Sequence, residues 1–118
     1  ANNPGNFTFA AGPVFGVVLD SNTYVSWDST AARTWLDQAL SKGESYPWRV
    51  VVFHHPPFHS SDKKKDEVYM KTILPILSQH KVALVLSGHV HNYQSTYPIS
   101  WDKEGQKMKI ARNWAPPG

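Results

Sequence analysis

The chain has 118 residues, of which 41% are apolar and 18% are charged, and its formal net charge is +3. This composition is typical of a globular domain and excludes a disordered chain. The absence of cysteine excludes disulfides, zinc ribbons and thiol nucleophiles, so nitrogen and oxygen atoms must hold any metal ion.

Two kinds of partner are disfavoured by the same sequence. No apolar stretch is long enough to span a bilayer, so we expect no membrane span. The densest basic run, residues 63–65, is flanked by Asp62, Asp66 and Glu67. Nucleic-acid binding surfaces usually carry a basic stripe with interleaved aromatic residues. The sequence has no such stripe, so it gives no clear indication of nucleic-acid binding.

The first elements in chain order are two short apolar strands, at about Phe7 to Ala10 and Val14 to Leu19. Gly12 and Pro13 join them, and these residue types favour a tight turn. The pattern predicts a β-hairpin.

A helix is predicted next, over about Thr30 to Lys42, because apolar residues recur there at helical spacing. Ser29 or Asp28 is expected to cap its start. Gly43 follows its last residue, where a left-handed glycine often ends a helix.

The second half of the chain alternates strands and a helix. Arg49 to Phe53 and Val82 to Leu86 are continuous apolar runs, which predict strands covered on both faces. Between them, Asp66 to His80 has a helical pattern that Pro75 must kink or divide. A hairpin followed by α, β, α and β predicts an α/β fold with a mostly parallel sheet and flanking helices. We expect residues 1–118 to form a single unit.

Histidines follow both continuous strands. His54 and His55 follow the first, and His89 and His91 follow the second. The carboxyl ends of neighbouring parallel strands meet at one crevice, where ligands bind. In an extended segment, His89 and His91 would point to the same side, and Gly88 would allow a close approach of the backbone.

Imidazole is a good ligand for zinc, iron and manganese-group ions, so His54, His89 and His91 predict a metal site. Other candidates favour ordinary structural roles. His80 ends a predicted helix, His59 lies in a serine-rich loop and Asp20 lies in a turn sequence.

The segments "VVFHHPPFHS" and "VLSGHVHNYQSTYPI" resemble the C-terminal half of the calcineurin-like metallophosphoesterases, in the branch that includes purple acid phosphatases. The resemblance covers nearly the whole chain. It implies a four-layer α/β/β/α sandwich with two metal ions about 3.5–4 Å apart, of which Fe, Zn or Mn are expected. His54 and His89 match ligands of one metal, and His91 matches a ligand of the other.

Other positions agree less closely with this family. His55 follows a ligand position and is expected to support the site or face the substrate. Tyr93 matches an aromatic residue that packs beside the site. The family often has Glu-Arg where this chain has Gln94 and Ser95. A further family histidine is missing from the loop after "HHPP", where His59 or a lysine is the candidate substitute. The general acid is not identified.

The family's N-terminal motifs, which supply the bridging aspartate, are absent from residues 1–118. We therefore expect the C-terminal portion of a phosphoesterase domain, with the remainder of the domain as its partner, either on the same polypeptide or on another chain. The expected function is hydrolysis of phosphomonoesters or phosphodiesters by a water activated at two metal ions, and this chain alone is expected to be inactive. The alternatives are a mononuclear three-histidine zinc site and a catalytically dead interaction module. The resemblance also favours a secreted or periplasmic protein.

Overall fold

The computed structural model describes residues 5–57, 69–89, 99–102, 104 and 107–110. The strands are β1 (Phe7–Ala11), β2 (Val14–Val18), β3 (Trp48–Val52), β4 (Leu84–Leu86), β5 (Ile99–Asp102) and β6 (Lys107–Ile110). The helices are α1 (Thr30–Ser41) and α2 (Leu74–Gln79), and a 3₁₀ helix, Tyr69–Ile73, leads directly into α2.

Four strands form one sheet in the order β1-β2-β3-β4. β1 is antiparallel to β2, whereas β2, β3 and β4 are mutually parallel. The mixed α/β class with a mostly parallel sheet is therefore confirmed, and so is the N-terminal hairpin. Its turn contains Gly12 with a φ of 57°, a left-handed conformation that glycine adopts at little cost. The antiparallel pair of β5 and β6 was not predicted from the sequence.

Helix α1 has the predicted start but a different end. The Ser29 hydroxyl accepts a hydrogen bond from the backbone N–H of Ala32 at 3.2 Å, so Ser29 is the cap. The prediction of a left-handed Gly43 is wrong, because Gly12 alone among the described glycines has a positive φ. Gly43 is buried, and a β-carbon there would overlap the ring of Phe15. Its missing side chain therefore serves close packing.

The predicted helix over residues 66–80 is divided where Pro75 indicated. Residues 66–68 lie outside the described part of the chain, and the rest forms the 3₁₀ helix followed by α2. Pro75 lies at the start of α2, where its missing N–H costs no intrahelical hydrogen bond.

The core lies between the helices and one face of the four-stranded sheet. Phe15, Val17 and Val51 extend from that face, and Val17 and Val51 have no exposed surface. The helical side contributes the buried residues Leu36, Ala39, Leu40, Met70, Ile73, Leu74, Ile76 and Leu77. Burial of these side chains supplies the main favourable free energy of folding.

The opposite face of the sheet is apolar, and among the described residues it is open at its outer strands. Phe9, Gly16, Val50 and Leu84 form one register row across the four strands. Phe9 is 41% exposed and Leu84 is 49% exposed. No described element covers this face, so the coverage of these strands on both faces stays a prediction for the complete protein.

Within the described residues, no helix is long and apolar enough to cross a membrane. The longest helix, α1, has 12 residues.

Candidate metal centre

Two loops meet where β3 and β4 end. The backbone N–H of Phe53 donates to Leu86 O at 3.1 Å, and that of Gly88 donates to His54 O at 2.9 Å. These hydrogen bonds continue the parallel ladder past the last paired residues of both strands. The loop carrying His54 and the loop carrying His89 are therefore held side by side.

His54 and His89 bring two ring nitrogens together. His54 Nε2 lies 3.2 Å from His89 Nδ1, and the ring centroids are 5.0 Å apart with the planes at 76°. A metal ion bound to two imidazoles at about 2.0–2.1 Å separates their nitrogens by about 2.9–3.4 Å, for octahedral or tetrahedral angles. The two donors thus fit a shared transition-metal ion in both chemistry and spacing.

His89 reaches this position through an unusual backbone conformation. Its φ is 66°, in the left-handed region that residues with a β-carbon adopt at a cost. The prediction of an extended segment at His89 is therefore wrong. The alternation of side chains along an extended strand does not apply at this residue, so it cannot explain an alignment of His89 with His91. The φ of Gly88 is not positive. A β-carbon at Gly88 would lie 3.4 Å from His54 Nδ1, an ordinary contact.

His55 is the third member of the cluster. Each of His54, His55 and His89 offers a possible ligand atom, and these atoms lie within 4.8 Å of one another. The ring centroid of His55 is 4.9 Å from that of His54 and 4.5 Å from that of His89. His54 is exposed, whereas His55 and His89 are half-buried, so a ligand can approach the cluster from solvent.

Ser21 and Tyr69 support His55 from two other elements. The Ser21 hydroxyl lies 2.8 Å from His55 Nδ1 and accepts a hydrogen bond from the His55 backbone N–H at 3.0 Å. The Tyr69 hydroxyl donates to Ser21 O at 2.5 Å, and the Tyr69 ring lies 5.4 Å from the His55 ring. Neither residue was predicted from the sequence to belong to the site. Ser21 follows the carboxyl end of β2, and this position was the signal that could have identified it.

The remaining predicted site residues have different outcomes. His59, His91 and Tyr93 lie outside the described residues. The roles of His54, His89 and His91 as metal ligands therefore stay a prediction, although the two described histidines converge.

His80 and Asp20 have the structural contacts expected of them. His80 is buried at the end of α2, and its Nε2 lies 2.7 Å from Asp37 Oδ1. Asp20 Oδ1 accepts a hydrogen bond from the Asn22 backbone N–H at 3.0 Å, as in a turn. The Asp20 carboxylate also accepts a hydrogen bond from Tyr24, and this bond raises the pKa of the Tyr24 phenol.

Comparison with known proteins gives a consistent set of relatives. The family described as calcineurin-like phosphoesterase matches residues 4–93. Purple acid phosphatase 18 of Arabidopsis thaliana is 33% identical over 99 residues, which cover 80% of this chain and 22% of that protein. Purple acid phosphatase 23 of the same plant is 33% identical over 93 residues, covering 75% and 20%.

An acid phosphatase of Aspergillus ficuum is 32% identical over 91 residues, which cover 75% of this chain and 14% of that enzyme. The chain thus spans between 14% and 22% of the length of these three relatives. No solved structure matches the chain significantly.

Proposed function

Because the chain belongs to the calcineurin-like phosphoesterase family, we propose that the complete protein hydrolyses phosphomonoesters or phosphodiesters at a centre of two metal ions. The approach of His54 Nε2 and His89 Nδ1 to 3.2 Å is the observation that carries the proposal. This contact brings together two imidazole nitrogens from residues 35 positions apart in sequence, beside the carboxyl ends of two parallel strands.

The chemistry of the histidines suggests which role each of them would have in this site. His54 and His89 would hold one ion and His91 would contribute to the second, with Fe, Zn or Mn as the expected metals. When bound, the ions supply Lewis-acid polarisation of the phosphoryl group and a lowered pKa of water. The backbone N–H of Gly88 donates to His54 O and so holds the two loops that carry His54 and His89 side by side.

The chain is proposed to act as part of a larger unit. It spans about a fifth of the length of its plant relatives, and the described residues of the metal centre include no carboxylate in the histidine cluster. An acidic ligand between two cations offsets their repulsion. We expect the rest of the phosphoesterase domain to supply it and to cover the open apolar face of the sheet. An exported location, secreted or periplasmic, is part of the same proposal.

The test is metal-dependent hydrolysis of p-nitrophenyl phosphate by the complete protein, in wild-type form and as His89→Ala. The variant should lose at least about 100-fold in kcat/KM. The reason is that removal of one imidazole ligand weakens the binding of the metal ion on which the reaction depends. Lys81→Ala is the control, since Lys81 is exposed and lies before β4. Full activity in His89→Ala, or wild-type activity that survives chelation, would refute the proposal.

One observation favours a second candidate, a mononuclear zinc site. His54, His55 and His89 lie together and could supply three nitrogen ligands to a single ion. The two candidates differ in metal content. Elemental analysis of the complete protein should give two ions per chain for the phosphoesterase, and one ion with no phosphatase activity for the zinc site.

A further inference from the structure

The contact between Ser21 and His55 determines which His55 nitrogen carries a proton. Ser21 is buried, with 3% of its surface exposed. Its hydroxyl oxygen lies 3.0 Å from the backbone nitrogen and 2.8 Å from Nδ1 of His55. One hydroxyl therefore holds both the backbone and the ring of the same residue.

A count of protons and lone pairs resolves the direction of these bonds. A backbone N–H can only donate, so the Ser21 oxygen accepts there. The hydroxyl has one proton of its own, and a buried donor needs an acceptor. Among the described residues, His55 Nδ1 is the acceptor within reach of this proton. A neutral imidazole that accepts at Nδ1 carries its proton on Nε2.

This tautomer changes what His55 can do in the cluster. A nitrogen that carries a proton has no lone pair to offer a cation, so His55 is a hydrogen-bond donor beside the His54 and His89 nitrogens. The His55 ring lies beside this pair, because its centroid is 4.5 Å from that of His89. A substrate oxygen bound to an ion held by the pair would therefore lie near the His55 ring.

We propose that His55 Nε2–H donates a hydrogen bond to a phosphoryl oxygen of the substrate, and that Ser21 is the residue that positions it. This inference rests on the proposed phosphoesterase function and assigns His55 to substrate binding instead of metal binding. The acceptor would be a negatively charged oxygen, and such charge-assisted bonds are the stronger kind. No covalent step is assigned to His55.

Contacts within the protein hold the His55 ring in place before any substrate binds. Tyr69 anchors the Ser21 carbonyl from the 3₁₀ helix, and the Ser21 hydroxyl anchors His55 from the loop after β2. Three segments of the chain thus fix one imidazole. A donor fixed in advance stabilises developing charge without the cost of reorganisation during the reaction.

The experiment compares His55→Leu, His55→Gln and Ser21→Ala with the wild type in the complete protein. Glutamine retains an N–H near the place of Nε2, whereas leucine removes it. Ser41→Ala is the matched control for Ser21→Ala, because the Ser41 hydroxyl donates within α1 to Asp37 O and is exposed. Three quantities are measured: metal content, the Kd of inorganic phosphate for the metal-loaded protein, and kcat and KM for p-nitrophenyl phosphate.

The variants should differ from one another in phosphate affinity but not in metal content. His55→Leu should weaken phosphate binding by about 10-fold to 100-fold, which is the usual value of a hydrogen bond to a charged group. His55→Gln should retain more affinity than His55→Leu, and metal content should equal that of the wild type in both. Ser21→Ala should weaken phosphate binding by about 10-fold. It should have no further effect in the His55→Leu background, because it acts through that ring.

Two results would overturn the inference. Loss of metal from His55→Gln and His55→Leu would make His55 a ligand, and unchanged phosphate affinity in His55→Leu would remove it from substrate binding. Failure of the role proposed for His55 can be distinguished from failure of the proposed phosphoesterase function. If the wild type binds phosphate but hydrolyses no ester, the phosphoesterase proposal fails, and the phosphate affinity of the variants still decides the role of His55.

A spectroscopic measurement tests the tautomer without any activity. Imidazole nitrogens with and without a proton have clearly different ¹⁵N chemical shifts. In metal-free protein at a pH where His55 is neutral, Nε2 should show the protonated shift and Nδ1 the unprotonated one. The reverse assignment would overturn the inference, and exchange between both forms in Ser21→Ala would support the positioning role of the hydroxyl.

Discussion

Replacement of His89 by glycine separates the structural cost of this residue from its chemical role. His89 has a β-carbon at a φ of 66°, and the left-handed region costs such residues roughly 1–2 kcal/mol. Glycine avoids this cost but loses roughly 0.5–1 kcal/mol more backbone entropy on folding. The difference is a gain of roughly 0.5–1 kcal/mol, from which the lost contacts of the half-buried imidazole must be subtracted. We therefore expect metal-free His89→Gly to have nearly the stability of the wild type.

The same variant should respond much less to metal. Zinc at about 100 times its Kd should stabilise the wild-type chain by about 2.7 kcal/mol. Loss of one ligand that weakens binding about 100-fold reduces this gain to below about 0.5 kcal/mol at the same concentration. The assay is urea unfolding of the 118-residue chain with and without zinc, followed by tryptophan fluorescence, for which buried Trp27 is a suitable probe.

Lys81→Gly is the matched control for this variant. Lys81 has a φ of 53°, is exposed and lies in the turn before β4. The substitution should stabilise the chain by roughly 0.5–1 kcal/mol and leave the response to zinc unchanged. An equal zinc response in His89→Gly and the wild type would refute the assignment of His89 as a ligand, and destabilisation by Lys81→Gly would refute the backbone argument.

Two further predictions concern the packing that supports the site. Gly43→Ala should destabilise the chain by about 1–3 kcal/mol, because the added methyl group overlaps the ring of Phe15; urea unfolding measures this, and a change near zero would show that the ring can move aside. Leu86→Gln should cost less than about 1 kcal/mol in the isolated chain, where Leu86 is 49% exposed. Leu86 lies two residues after Leu84 on β4 and therefore on the same open apolar face of the sheet. In the complete protein the substitution should cost about 2–4 kcal/mol, because the rest of the domain is expected to cover that face. Equal small costs in both would show that the face stays open.

The sequence by itself determined the fold class and the elements of the four-stranded sheet and its helices, but not the pair of β5 and β6. Periodicity identified α1, and the Ser29 cap followed from its side chain, because both depend on residues a few positions apart. The Gly12 turn is local in the same way. The order of the elements then predicted the parallel sheet, since short connections and right-handed crossovers leave few alternatives.

Only the tertiary structure decided how side chains from distant segments meet. A sequence pattern indicated that Gly43 ends a helix, but its neighbour Phe15 on β2 determines its role. Ser21, His55 and Tyr69 are separated by up to 48 residues, and no local pattern links them. The left-handed backbone of His89 was not predicted from the local sequence either. Contacts of this kind depend on how the packed elements place each loop, and local sequence preferences do not contain that information.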